Sequence, residues 1–217
     1  MFTFSYFFFE CIALLAAIFK YNKLKDSNYK YFLPYLLFIV IYEYGTIRDW
    51  FYIDHSNLYI TNITEIAGFL FYGIFLYKLI KSKAYKKIIN GLIIFSIISS
   101  LINMVFIQGF WKLDTVTILL QFAIIISIVC MYFYELMNSM EITAPLTKMP
   151  GFWLNTGLLF FCLAQFLFYS SFALMAYKGN EQYIILFSVI ANIANAILYS
   201  CLTICFLCFN RMNKQLW

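Results

Sequence analysis

The chain has 217 residues, of which 64% are hydrophobic and only 12% are charged, with a formal net charge of +5. A soluble domain carries about twice that charged fraction, so this chain has too few charges to cover a globule in water. The basic residues are scattered over short loops, which gives no support to a nucleic-acid partner. With a mean hydropathy of +0.83, the composition predicts a protein embedded in a lipid bilayer.

Seven long apolar runs follow one another along the chain, and about 20 residues suffice for a helix to cross the hydrocarbon core. We therefore expect an all-α fold, a single domain over residues 1–217 that forms a bundle of seven transmembrane helices. The boundary between the second and third runs is short, so six or eight helices are the alternatives. The predicted helices are about 3–20, 31–53, 57–80, 85–107, 114–137, 151–177 and 181–208.

The basic residues also predict an orientation, because cytoplasmic loops are enriched in lysine and arginine. With the N-terminus outside and the C-terminus inside, most basic residues fall on the inner side. These are Lys20, Lys23, Lys25, Lys30, Lys78, Lys81, Lys83, Lys86, Lys87, Lys148, Arg211 and Lys214, whereas Arg48, Lys112 and Lys178 fall outside.

Glu10, Glu43 and Glu65 lie within the first three predicted helices, among Phe, Leu, Ile, Tyr and Ala. A carboxylate in a membrane-spanning helix is costly, so it normally faces the bundle interior and marks a site. At 1.5 Å of rise per residue, all three lie roughly 10–15 Å below the outer surface. Three ionised carboxylates at one depth repel each other, so some must be protonated, paired or hydrated. Arg48 is the one basic residue near enough to pair.

Polar side chains on the other helices extend this layer. On the seventh helix Ser188, Asn192 and Asn195 are spaced by four and three residues and share one face. Lipid cannot satisfy such groups, so they must face inward. The predicted ligand- or ion-binding set is Glu10, Glu43, Glu65, Arg48, Asn103, Gln121, Gln165, Asn192 and Asn195.

A structural role competes with binding at each of these positions. Asn, Gln and Ser commonly link membrane helices, each pair contributing roughly 0.6–2 kcal/mol. For Asn103, Gln121 and Gln165 this role is the simpler interpretation. For the three glutamates, hydrogen-bonded packing is the alternative to a ligand, ion or proton site.

The chain lacks the residues that several kinds of chemistry require. A zinc-dependent membrane hydrolase needs several histidines, but His55, in a predicted outer loop, is the only histidine. A retinal protein needs a buried lysine in the seventh helix, which has none. The six cysteines all fall inside predicted helices and are interpreted as small packing residues. We therefore expect no metal, no cofactor and no enzymatic activity, with a carboxylate-only intramembrane enzyme as the remaining enzymatic alternative.

Three segments carry a family resemblance: residues 149–159, which read MPGFWLNTGLL, residues 132–136, which read YFYEL, and residues 206–208, which read FLC. With these motifs the chain resembles an uncharacterised family of seven-helix integral membrane proteins common in Bacteroidetes-type bacteria. The resemblance covers most of the chain from the third helix onward. It implies a stand-alone seven-helix body in a bacterial inner membrane, and it assigns no functional residue.

The sequence favours a non-enzymatic membrane sensor, receptor-like, with a small-ligand or ion site in the outer half of the bundle. Its lysine-rich inner loops would reach a cytoplasmic or membrane protein partner. One alternative is a transporter or channel that uses the intramembrane carboxylates for cation or proton coupling. Another is a membrane subunit or effector of a larger assembly, in which the polar stripes serve only packing.

Overall fold

The computed structural model describes residues 5–53, 56–138, 145–178 and 181–209, and within these ranges it contains seven α-helices. The all-α prediction is confirmed. Asp54, His55, Arg211 and Lys214 lie outside the described residues. The helices are α1 (Ser5–Leu24), α2 (Phe32–Ile47), α3 (Leu58–Leu79), α4 (Lys83–Ile102), α5 (Thr115–Asn138), α6 (Pro150–Lys178) and α7 (Glu181–Leu207).

Five of the helices are long and apolar enough to cross a membrane, which makes this a multi-pass membrane protein. These segments are Leu58–Leu79, Lys83–Ile107, Thr115–Asn138, Pro150–Ser171 and Ser188–Leu207. Large apolar side chains project from the bundle surface, among them Phe19, Phe106 and Met137, each at least 80% exposed. Such side chains are suited to contact with lipid.

Helix α2 is shorter than the sequence predicted, because the chain turns back at its C-terminal end. It was expected over 31–53 but ends at Ile47. Asp49 adopts a positive φ of 58°, which interrupts the helix. The turn then packs Phe51 so closely over Gly45 that an added Cβ there would lie 2.5 Å from the ring. A glycine at this position therefore allows the turn to close.

The helices assemble with α1 packed against α2 and α7, with α6 between α5 and α7, and with α5 also contacting α3 and α4. We call the end where α1 begins, α2 ends and α3 begins the glutamate end. Glu10, Glu43 and Glu65 lie within about two helical turns of it. The opposite end, which carries the α1–α2 and α3–α4 connections and their lysines, is the lysine end.

An aromatic plug is buried at the lysine end. It consists of Tyr29, Phe32, Phe75, Phe206 and Phe209, all at most 5% exposed. The Tyr29 ring lies 4.9 Å from Phe75 and 4.8 Å from Phe209, and the Phe32 ring lies 4.8 Å from Phe75 and 5.7 Å from Phe206, all edge-to-face. This is the favoured geometry of aromatic pairs. The plug links α2, α3 and the end of α7.

Backbone groups at the lysine end are capped as well. The Glu135 carboxylate accepts hydrogen bonds from the backbone N–H groups of Lys81 at 3.0 Å and Ser82 at 2.7 Å. The first N–H groups of a helix have no partner within the helix, so a carboxylate beside them stabilises its start. Glu135 therefore fixes the start of α4 against the end of α5.

Candidate functional site

A cavity of about 260 Å³ lies between α2, α3, α5, α6 and α7. Its polar lining includes Glu43, Glu65, Gln121, Gln165 and Asn195, each from a helix that also contributes apolar residues. At about 30 Å³ per water molecule, the space equals roughly eight or nine waters. It is slightly smaller than the sites that take drug-sized ligands, which start near 300 Å³. The cavity therefore has room for a small molecule.

Each of the three glutamates faces a tyrosine from another helix. The Tyr6 hydroxyl on α1 donates to Glu43 on α2 at 2.7 Å, and the Tyr169 hydroxyl on α6 donates to Glu65 on α3 at 3.2 Å.

Glu10 on α1 is only 1% exposed, and Tyr199 on α7 is its neighbour. The second carboxylate oxygen of Glu10, Oε2, is buried without a partner. Tyr199 also lines the cavity, so Glu10 lies behind the wall that Glu43 and Glu65 form directly.

The carboxyl groups are electrostatic neighbours of one another and have no basic neighbour among the described residues. Glu43 acts on both Glu10 and Glu65, and no lysine or arginine contributes to the environment of any of the three. The structure therefore brings the predicted acidic residues together as one cluster. Among the described residues, this cluster has no positively charged neighbour.

Arg48 does not fill the pairing role expected for it. It is exposed at the end of α2, where its guanidinium lies 5.6 Å from the centre of the Tyr44 ring. Arg48 does not line the cavity. The structure therefore does not bring Arg48 together with the three glutamates.

Two polar groups in the cavity wall have no hydrogen-bond partner among the described residues. Gln165 is only 8% exposed and lines the cavity, and no described protein group bonds its carboxamide. Thr64 lines the same cavity, but its hydroxyl oxygen is itself buried and has no partner among the described residues. Buried polar groups are normally hydrogen-bonded, so each such exception needs an explanation. A polar ligand in the cavity would supply a partner for Gln165.

Tyr35 and Tyr72 form the floor of the cavity. Their rings meet edge to face, with centroids 5.4 Å apart. One helical turn further toward the lysine end come Phe32 and Phe75 of the aromatic plug. The polar space therefore ends at a closely packed aromatic layer.

Asn103 belongs to a separate structural network and does not line the cavity. Its Nδ2 donates to Gln108 Oε1 at 2.6 Å and to the Asp114 carboxylate. The backbone N–H of Asp114 donates to Asn62 at 3.0 Å, and its carboxylate accepts from the backbone N–H of Thr117 at the start of α5. This network holds the α4–α5 connection against α3. This geometry supports a structural role for Asn103, which links parts of the bundle through hydrogen bonds.

The remaining predicted residues divide between the cavity and the helix backbone. Gln121 lines the cavity but donates to Ser100 on α4 at 3.0 Å. Asn195 lines it and donates to the carbonyl of Ala191 at 3.1 Å. Asn192 bonds the carbonyl of Ser188 at 2.8 Å and does not line the cavity.

Tyr6, Tyr169 and Thr64 are site residues that the sequence analysis missed. The chain contains 18 tyrosines, many of them at helix ends, so residue type alone does not select two of them. Position was the available signal for Tyr169 and Thr64, which lie at the predicted depth of Glu65, whereas Tyr6 lies roughly 10 Å nearer the surface than Glu43 by the same count.

The described residues contain no group of three or more His, Cys, Asp and Glu side chains that could hold a metal ion. No protein-family model, curated protein or solved structure matches the chain.

Proposed function

We propose that the protein is a non-enzymatic, receptor-like membrane sensor that holds a small ligand in the cavity between α2, α3, α5, α6 and α7. The observation that carries this proposal is the Gln165 carboxamide, which has no partner among the described residues, in a wall where Glu43 and Glu65 have no described counter-charge. Uncompensated polar and charged groups in a bilayer are costly. A bound ligand would offset that cost.

The closed inner half favours sensing over transport. Below Tyr35 and Tyr72 the bundle is filled by the aromatic plug. The Ser127 and Thr203 hydroxyls donate to carbonyls one turn earlier in their own helices, at 2.8 Å in each case. A transporter or channel would need polar groups directed into a continuous path.

The proposed topology has seven membrane-spanning helices, with α1 and α2 completing the five that meet the length and hydropathy criteria. The lysine end would face the cytoplasm, in accordance with the positive-inside rule. Following the family resemblance, the membrane would be a bacterial inner membrane. The ligand would then enter from outside, and the lysine-rich connections would pass the signal to a cytoplasmic or membrane protein partner.

Cysteine labelling tests this topology. Asn28 and Trp50 are exposed in the α1–α2 and α2–α3 connections, respectively. With a membrane-impermeant thiol reagent on intact cells, we expect Trp50→Cys to react and Asn28→Cys to react only after permeabilisation. The opposite pattern would overturn the orientation and, with it, an outward-facing cavity.

Flux measurements separate a sensor from a transporter. We expect liposomes containing the purified protein to show the same proton and sodium leak as liposomes containing the Glu43→Gln/Glu65→Gln variant. The leak would be followed with pH- and sodium-sensitive dyes. A wild-type flux that the double variant abolishes would replace the sensor proposal with transport.

A further inference from the structure

We infer that the ligand of this cavity is a small organic ammonium ion, a compact amine or quaternary ammonium compound that enters with its positive charge. This inference rests on the proposed ligand-binding role of the cavity and adds its chemical class. It depends on the charge of the wall, on the aromatic character of the remaining lining and on the size of the space.

The charge of the wall selects against anions. Glu43 and Glu65 line the cavity, Glu10 lies behind Tyr199, and no described lysine or arginine neighbours any of them. Tyr6 donates to Glu43 and Tyr169 donates to Glu65, and neither carboxylate has a positive partner among the described residues. An anion would be repelled, whereas a cation would supply the missing counter-charge. A low-dielectric surrounding strengthens both effects.

The aromatic lining favours an organic cation over a strongly hydrated inorganic one. Eight of the side chains around the cavity are aromatic, among them Tyr35, Tyr72 and Phe69. Aromatic side chains around a quaternary or alkylated ammonium group attract it through cation–π interactions, and they also pack against its alkyl groups. The carboxamide oxygen of Gln165 offers an acceptor for an N–H or O–H group of the ligand.

The volume limits the ligand to a small molecule. A space of about 260 Å³ is below the range of about 300–1,000 Å³ that drug-sized ligands occupy. Compounds of the size of choline or butylammonium fit that limit.

Thermal unfolding of the purified protein in lipid nanodiscs tests the inference with defined probes. Choline and butylammonium are the ammonium probes, 3,3-dimethylbutan-1-ol is the neutral isostere of choline, and sodium chloride controls for ionic strength. We expect each ammonium probe to raise the unfolding temperature in a saturable way, by about 3–6 °C at ten times its dissociation constant. We expect no saturable rise with the alcohol or with sodium.

Matched Glu→Gln variants locate the effect. Glu65→Gln keeps an acceptor for the Tyr169 hydroxyl but removes the charge, and it should abolish the ammonium-dependent rise. Glu135→Gln makes the same change at the lysine end, outside the cavity, and should retain the full rise even if its starting temperature is lower. If Glu65→Gln does not fold, Gln165→Leu and Glu43→Gln provide the same comparison within the cavity wall.

Other outcomes of these unfolding measurements would overturn the inference. An equal rise with the neutral isostere, or with sodium, would overturn the ammonium class. A rise that Glu65→Gln, Glu43→Gln and Gln165→Leu all retain would overturn the assignment to this cavity. No rise with either ammonium probe would also overturn the inference. The proposed function fails separately, if a neutral thiol reagent does not enter the cavity at Thr64→Cys.

Discussion

The glutamate end and the lysine end of this bundle use aromatic and carboxylate side chains in opposite ways. At the lysine end, Tyr29 and Phe32 are packed into a closed plug, and the Glu135 carboxylate caps a helix. At the glutamate end, tyrosines hold the carboxyl groups of Glu43 and Glu65 at the wall of an open cavity. One end therefore maximises packing, whereas the other keeps unfilled space. Such a division is typical of a protein that loses some stability at its functional site.

Removing the core of the plug should have the largest effect on stability. Phe32 is fully buried and packs against Phe75 and Phe206. Phe→Ala substitutions in soluble cores cost about 3–5 kcal/mol. Because lipid is itself apolar, the transfer part of that cost is smaller in a membrane, and we expect Phe32→Ala to lower the free energy of unfolding by about 2–4 kcal/mol.

The matched control for this prediction is Phe19→Ala, on a ring that is 82% exposed on the bundle surface. Unfolding by SDS titration in mixed micelles measures both variants, and the control should change stability by less than about 0.5 kcal/mol. Equal losses at the two positions would mean that the plug is not the closely packed half of the molecule.

A smaller loss of stability is expected from a substitution where α6 and α7 approach closely. A Cβ at Gly157 would lie 2.6 Å from the Cβ of Cys201 and 3.4 Å from the Cα of Leu198, so the two helices must separate to accept it. Overpacking of this kind costs about 1–3 kcal/mol. Gly157→Ala should lower stability by that amount. Gly91→Ala has open space around it and should be neutral or slightly stabilising, since alanine favours the helix.

Replacing the two glutamines of the cavity wall by leucine should have different effects on stability. Gln121 donates to Ser100 at 3.0 Å, so Gln121→Leu loses a buried hydrogen bond and should cost about 0.5–1.5 kcal/mol. Gln165 has no partner among the described residues, so Gln165→Leu should leave stability unchanged or raise it slightly. The same SDS titration compares them. A larger loss at Gln165 than at Gln121 would show that its carboxamide has a structural role.

The sequence was sufficient to predict the helices and the acidic cluster. Six of the seven predicted helices begin and end within five residues of the observed ones. Glu10, Glu43 and Glu65 meet as their shared depth predicted, because topology and helical rise determine that depth. The end of α2 was missed, because a positive φ at Asp49 is a local tertiary feature rather than a matter of hydropathy.

The composition of the site was less predictable than its location. Tyr6 and Tyr169 join the glutamates through contacts between distant helices, which periodicity within one helix does not report. Asn103 looked equivalent to Gln165 in the sequence, yet it is bonded to Asp114. Only the packing of α3, α4 and α5 around it distinguishes the two residues.

Small solutes should enter the cavity at the glutamate end, and two buried hydroxyl residues test this entry directly. Thr64 lines the cavity and Ser96 does not, but both hydroxyl groups are buried without a partner. Thr64→Cys and Ser96→Cys would be treated with methyl methanethiosulfonate, a small neutral thiol reagent, in lipid nanodiscs. Peptide mass mapping then reports each cysteine separately.

We expect Thr64→Cys to react at least about tenfold faster than Ser96→Cys, which should react only when the protein opens locally or unfolds. Equal and slow modification of both cysteines, with full reaction after denaturation, would contradict the claim that this space is a ligand site.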